Sequence, residues 1–236
     1  MQQRITLQPT FILHSRHYGD TSLILEAFTR DYGRMTLVAK GYRKKRQHDA
    51  KPFSLLLVSW TGRGEMKTLT AAESSNTCAL PAGRQLYAAL YVNEVLQRLL
   101  PKNDAHPTLF DYYCQLIPNL AVQQDFEPQL RQFELQLLSE LGYALDLRCN
   151  ASDGGAIEPR TYYRYVSEAG FFPDSGNQAN NRESFLGEDL LAIGAGDFST
   201  LEVRRAAKRL SRLALAPLLG GRPLKSRELF YQIPLR

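Results

Sequence analysis

Cysteine is scarce: the 236 residues hold three, Cys78, Cys114 and Cys149. They are odd in number, far apart and without a C-x-x-C pair, which signals neither a disulfide framework nor a zinc knuckle. No apolar run approaches the roughly 18–20 residues of a membrane span. The opening MQQRITLQPTFIL lacks the long apolar core and small-residue cleavage site of a secretory signal, so a cytoplasmic protein is expected. Motifs of covalent chemistry are missing as well: G-x-S-x-G, H-E-x-x-H and G-x-G-x-x-G do not occur. GGRPLKSRELF, residues 220–230, has the outline of a phosphate loop. Leu224 stands where the second glycine belongs, however, and no apolar strand leads in, so ATP binding is not expected. Glu94, Asp111, Glu134 and Glu140 fall in helical stretches without a convergent acid–base pair. His14 and His17 lie three apart with no cysteine nearby and read as solvent-facing strand residues. These absences describe a non-enzyme with no metal or cofactor.

What is present is charge, unevenly spread. The net charge is +5. Residues 1–80 carry 12 Lys and Arg against 6 Asp and Glu; residues 81–199 carry 8 against 16; residues 200–236 carry 9 against 2. Two basic ends flank an acidic middle, and such polarised fields point to polyanionic partners.

Periodicity divides the chain. Residues 1–80 predict five short strands, Thr10–Arg16, Thr21–Thr29, Arg34–Lys40, Ser54–Trp60 and Met66–Ala72, rich in β-branched and aromatic residues and separated by turn chemistry. Five short strands are expected to close into a barrel, since closure removes exposed edges. In the third, Met35, Leu37 and Ala39 face inward, and Arg34, Thr36 and Lys40 outward. Residues 81–148 predict three helices: Arg84–Leu100, one from Pro107 that Pro118 ends or kinks, and one from Pro128 to before Gly142. Residues 149–200 are turn-rich around a hairpin in TYYRYVSEAGFF. In residues 201–236, the helix Leu201–Leu219 has a buried face of Val203, Ala206, Ala207, Leu210, Leu213 and Ala214, and a basic face opposite. The fold class is α+β, with the barrel and helices packed as one body.

Two features address a polyanion. Arg43, Lys44, Lys45 and Arg46 stand side by side between the third and fourth strands, with Lys40 and Lys51 outside them and Tyr42 and Phe53 nearby. Adjacent like charges repel, and a phosphate backbone would relieve that repulsion, while an aromatic face can stack on a base. The second feature is the helix from Arg204 to Arg212. Only Glu202 lies near its basic residues, whereas surface helices usually mix signs to gain i,i+4 pairs. A barrel protein that binds RNA in translation or ribosome assembly, and an adaptor whose basic surfaces meet acidic proteins, are alternatives that charge and periodicity leave open.

FILHSRHYGDTSLILEAFTRDYGRMTLVAKGYRKK, GRGEMKTLTAAE, LYAALYVNEVLQRLL, LRQFELQLLSELGY and RAAKRLSRLALAPLLGGRPLKSRELF resemble, in order and over nearly the whole chain, the RecO family of bacterial DNA repair and recombination mediators, closest to its gammaproteobacterial branch. The resemblance implies an OB-fold over residues 1–80, a helical domain over 81–148, and a lobe over 149–200 that in many members holds a four-cysteine zinc site. Only Cys149 falls in that region here, so no zinc is expected and the Tyr162–Tyr165 and Phe171–Phe172 hairpin must hold the lobe by packing. The C-terminal basic helix, in 201–236, is expected to pack on the helical domain. The implied activity is binding of single- and double-stranded DNA, annealing of complementary strands, and action with RecR, and with RecF in many species, to help RecA displace single-stranded-DNA-binding protein. On that reading Arg34, Lys40, Arg43, Lys44, Lys45 and Arg46 contact phosphate and Tyr42 stacks. Arg204, Arg205, Lys208, Arg209 and Arg212 form a second DNA surface. The acidic, apolar C-terminal tail of single-stranded-DNA-binding protein is expected at Leu130, Arg131 and Phe133. A nucleoid-associated cytoplasmic location follows from the same likeness.

Overall fold

The computed structural model describes residues 4–42, 52–75, 79–175 and 181–231. The alternating N-terminal segments form β1 (Arg4–Tyr18), β2 (Ser22–Thr29), β3 (Gly33–Ala39), β4 (Leu56–Thr61) and β5 (Met66–Ser74). They close into a barrel of order β1-β2-β3-β5-β4. β1 has 15 residues and serves two neighbours. Its first part, Arg4–Thr10, pairs with β4, and Thr10–Tyr18 pairs with β2. β3 and β5 pair in parallel. A five-stranded Greek-key barrel in this order is the OB-fold. Ile12, Leu25, Met35, Leu37, Ala39, Leu56, Val58 and Trp60 fill it, and Tyr32 meets Trp60 edge-on at 5.3 Å. Thr36, expected to face outward in solvent, is 4% exposed and donates to Glu26 at 3.0 Å. The outer face here is covered, so alternation identified the side but not the solvent.

Two helices supply the cover: α1 (Gly83–Leu99) and α2 (Pro107–Val122). Phe11 and Phe28 on the barrel interlock with Phe110 and Tyr113 on α2, at centroid distances of 4.7–6.2 Å. α2 runs through Pro118 rather than stopping there. One lost intrahelical bond, with its clash, costs about 3 kcal/mol; burial of Leu116, Ile117 and Leu120 on either side offsets it. Burial pushes the Tyr113 phenol above the ordinary tyrosine range.

The chain divides into two units, Met1–Gln124 with Pro223–Arg236, and Asp125–Arg222. This differs from the division at residues 81, 149 and 201 expected from periodicity. The reason is packing: the first two helices belong to the barrel, whereas the third belongs with the lobe and the basic helix. In the first unit the short α6 (Lys225–Tyr231) returns to α1. Glu94 accepts from the amides of Lys225 and Ser226 (3.0 and 2.8 Å) and from the Ser226 hydroxyl (2.6 Å). Arg98 donates to Pro223 O at 3.0 Å. The supposed phosphate loop is thus a helix start capped by a carboxylate of α1. Burial opposes the charge on Glu94, but the Ser226 and Lys225 hydrogen bonds, aided by Arg98, outweigh it and hold the carboxyl below the ordinary value of 4.5. A depressed folded-state pKa stabilises above the unfolded value and is lost as pH falls through the folded one. Glu94→Gln should therefore be less stable than wild type at neutral pH, with the difference shrinking below about pH 4.5; urea midpoints between pH 3 and 7 read this out.

The second unit contains α3 (Glu127–Glu140), β6 (Tyr162–Val166), β7 (Gly170–Pro173), β8 (Ser184–Leu186), α4 (Gly187–Gly194) and α5 (Leu201–Leu218). The hairpin acquires a third strand, giving the order β7-β6-β8. β8 and α4 were not foreseen, being three and eight residues long and lying behind a turn-rich stretch. Tyr163, Phe171 and Phe185 are buried, with Phe171 at 5.4 Å from Tyr165 and 6.3 Å from Phe185. α5 packs on α3 and α4; Ser211 and Leu215 join its buried face, while Leu213 is half-buried. The loop after Cys149 is organised by one side chain. Asn150 accepts through Oδ1 from Ser152 N, Ser152 Oγ and Asp153 N, and donates through Nδ2 to Gly155 O. Cys149 is a free, half-buried thiol.

Candidate nucleic-acid interface

The barrel leads from Ala39 through Lys40 to the basic block, and Lys40 is exposed. Arg43, Lys44, Lys45 and Arg46 lie outside the described residues, as does Lys51. Tyr42 is 7% exposed and belongs to the barrel core. A buried ring cannot present its face to a base, so Tyr42 is not the stacker its position suggested.

Arg34 is also committed elsewhere. Its Nε donates to Leu100 O at 2.9 Å and its Nη1 to Glu26 at 3.1 Å. Its carbonyl accepts from Asn103 N at 2.8 Å. Next to it, Gly33 has φ +67°, and a Cβ there would lie 1.8 Å from Asp104 O. Gly33 and Arg34 are the seat of the α1–α2 connection on the barrel, and Arg34 is removed from the phosphate contacts.

On α5 the five basic residues separate into two groups. Arg204 pairs with Asp125 at 2.7 Å and also donates to Phe198 O. Lys208 pairs with Glu127 at 2.8 Å. Arg209 donates to Ser184 O at 2.7 Å and lies 4.3 Å over the Phe185 ring. Burial lowers the pKa of its guanidinium, with Asp189 acting in the opposite direction. These three hold the unit together. Arg205 and Arg212 remain exposed, with no ion pair among the described residues. They stand seven residues apart, two turns and about 10 Å along one face. The carboxylates that periodicity could not find come from the start of α3, about eighty positions earlier in the chain.

The expected tail site is buried. Leu130 and Arg131 are 5% exposed and Phe133 is fully covered. Arg131 Nη1 approaches Glu134 Oε2 at 2.8 Å, with both side chains almost wholly enclosed. Leu130 and Phe133 are core, and Arg131 answers a carboxylate of its own helix rather than a partner's.

His14 and His17 are exposed on β1, as expected of solvent-facing strand residues. Among the described residues no cluster of three or more His, Cys, Asp and Glu has a metal-binding arrangement, and no helix is long and apolar enough to cross a membrane. One sequence signal was passed over: the β1–β2 turn is flanked by Arg16 and Tyr18, both exposed, Tyr18 at 49%.

Two family profiles account for nearly all of this chain: Recombination protein O N terminal matches residues 1–78 and Recombination protein O C terminal matches residues 81–228. The chain belongs to the RecO family. The N-terminal RecO match coincides with the OB barrel. The C-terminal RecO match covers the helices, the lobe and α6, and so spans parts of both structural units. Relatives named DNA repair protein RecO include that of Vibrio atlanticus, 45% identical over 95% of this chain and 93% of the relative. The protein of Photobacterium profundum is 45% identical over 95% of each chain. That of Actinobacillus pleuropneumoniae is 44% identical over 94% of this chain and 93% of its own.

Proposed function

We propose that this RecO-family protein is a DNA repair and recombination mediator that binds single- and double-stranded DNA and anneals complementary strands without performing covalent chemistry. The observation that carries the proposal is the match of RecO profiles and DNA repair relatives along nearly all of the chain, in a protein whose N-terminal part is an OB barrel. Annealing brings two polyanions together, so phosphate charge must be neutralised on both. Lys40, followed in sequence by the block Arg43–Arg46, supplies cations after β3, and Arg205 with Arg212 supplies them on α5. Each phosphate contact should contribute about −0.7 (single strand) to −0.9 (duplex) to the slope of log K against log salt.

Within repair, the proposed role is to act with RecR, and with RecF, on strands coated by single-stranded-DNA-binding protein and to help RecA replace it. The acidic tail of the coating protein remains a proposed partner, but Leu130, Arg131 and Phe133 as they are packed do not form its cleft.

Annealing of complementary oligonucleotides without nucleotide, with and without single-stranded-DNA-binding protein, tests the reading. Wild-type protein should accelerate annealing in both settings; failure to bind DNA in dilute buffer would remove it. Changing Lys44, Lys45 and Arg46 together to Glu, or Arg205 and Arg212 together to Glu, should weaken binding and flatten the salt slope. Changing Arg204 or Lys208 should instead lower stability, by about 1 kcal/mol or less for such part-exposed pairs, with little change in slope.

A further inference from the structure

We propose that the tip of the β1–β2 hairpin is a contact for single-stranded DNA, with Tyr18 as its stacking platform and Arg16 and Lys40 as its phosphate partners. The inference rests on the DNA-binding reading above and deepens it. It starts from a bulge. In the β1–β2 ladder Ile12 pairs with Ala27 and His14 with Glu26, so Leu13 is an extra residue. Its carbonyl accepts from Asn93 Nδ2 at 3.0 Å, and Asn93 Oδ1 accepts from the Tyr113 hydroxyl at 2.5 Å. Asn93 is 3% exposed and Tyr113 fully buried, so the bulge is fixed from beneath by two interior side chains.

An extra residue reverses the pleat beyond it. Before the bulge the even position Ile12 lies in the barrel core. In an unbroken ladder Arg16 and Tyr18 would continue on that interior side. With the bulge, Ser15 and His17, themselves exposed where β1 runs past the barrel, stand opposite Leu25 and Leu23, and Arg16 and Tyr18 stand opposite Ile24 and Ser22 on the other face. β3 brings its own cation to that face. Met35, Leu37 and Ala39 point inward, and Leu23 pairs with Ala39, so Lys40 follows Val38 on the outer side, next in register to Ser22. Tyr18, Ser22 and Lys40 thus form a row across three strands, about 10 Å wide at ordinary strand spacing, with Arg16 two residues along β1 on the same face. The small Ser22 leaves the Tyr18 ring uncovered. Tyr18, Arg16 and Lys40 are exposed, and no carboxylate among the described residues pairs with either cation. Asp20, in the turn, has a partner of its own.

An exposed ring with one uncompensated cation along its own strand and another across the sheet, on a rigidly seated strand pair, suits an unstacked base with its flanking phosphates. A duplex keeps its bases stacked and offers the hairpin only phosphate. The hairpin should therefore favour single strands, through Tyr18 alone. Fluorescence anisotropy of the full chain with a labelled single strand and with a duplex of equal length tests this. Tyr18→Ala should weaken single-strand binding roughly tenfold, leave duplex binding within twofold and preserve the salt slope; Tyr18→Phe should bind as wild type. Arg16→Ala and Lys40→Ala should each reduce the single-strand salt slope by about 0.7. If wild type binds both DNAs and Tyr18→Ala either matches it on the single strand or loses both substrates equally, the hairpin site is overturned while the DNA-binding reading stands. If wild type binds neither, the underlying reading falls and this site with it.

Discussion

Replacing Arg131 by alanine should cost about 3–5 kcal/mol of stability, the range for removing one member of a buried ion pair. Its guanidinium and the Glu134 carboxylate are 7% and 2% exposed as side chains and lie 2.8 Å apart. Arg131 Nε has no hydrogen-bond acceptor, so attraction of charge rather than well-aligned hydrogen bonding holds the pair. The variant would leave a carboxylate in the core of the second unit without this counter-charge. Arg131→Glu should be worse, placing two carboxylates together. Changing both members, Arg131→Met with Glu134→Leu, should recover most of the loss, because matched apolar residues need no counter-charge. Urea denaturation of the three variants decides the matter. If Arg131→Ala unfolded within about 0.5 kcal/mol of wild type, as surface substitutions do, the helix would have to present this residue to solvent, and the partner-tail reading would return.

Gly33→Ala should be comparably severe, at about 4 kcal/mol or with no folded protein recovered. The site combines φ +67° with the approach of a backbone carbonyl, Asp104 O, to 1.8 Å of where the methyl carbon would sit. Backbone on both sides cannot yield as a side-chain end would. Arg34 O accepts from Asn103 N and the Arg34 side chain reaches Leu100 O, so displacing the connection also strips the Arg34 hydrogen bonds. Gly41 is the control. It has the same φ, +67°, but nothing lies within 4 Å of its added carbon. Gly41→Ala should show only the left-handed backbone cost, about 1–2 kcal/mol. Equal losses at the two glycines would mean that strain, not the close approach, governs both.

How much of this was legible in the sequence varies with range. Strand alternation gave the barrel and placed Met35, Leu37 and Ala39 inside, because a period of two is a local property. The three central helices were placed to within one residue at their starts, but Pro118 was overvalued, since tertiary burial around Leu116, Ile117 and Leu120 outweighs a propensity. The charged residues were the least legible. Arg204 and Lys208 read as free because their carboxylates, Asp125 and Glu127, are remote in sequence. Arg34 read as a surface cation because nothing local reveals Leu100 O and Glu26. Tyr42 read as exposed because it adjoins four charges, although its ring turns into the barrel. Arg16 and Tyr18 were overlooked because their face depends on the extra residue at Leu13, and a bulge has no local signature without the Asn93 that fixes it.

The return of α6 to α1 bears on how the protein is made. The first unit is discontinuous: 98 residues, Asp125–Arg222, are threaded between its two parts. Glu94 leaves the ribosome more than a hundred positions before Lys225 and Ser226 emerge to meet it. During that interval the barrel and its first two helices must wait with an uncapped docking face, whereas the second unit can finish first. Released chains that end after Arg222 should therefore yield a lobe already resistant to protease and a head that is still digested.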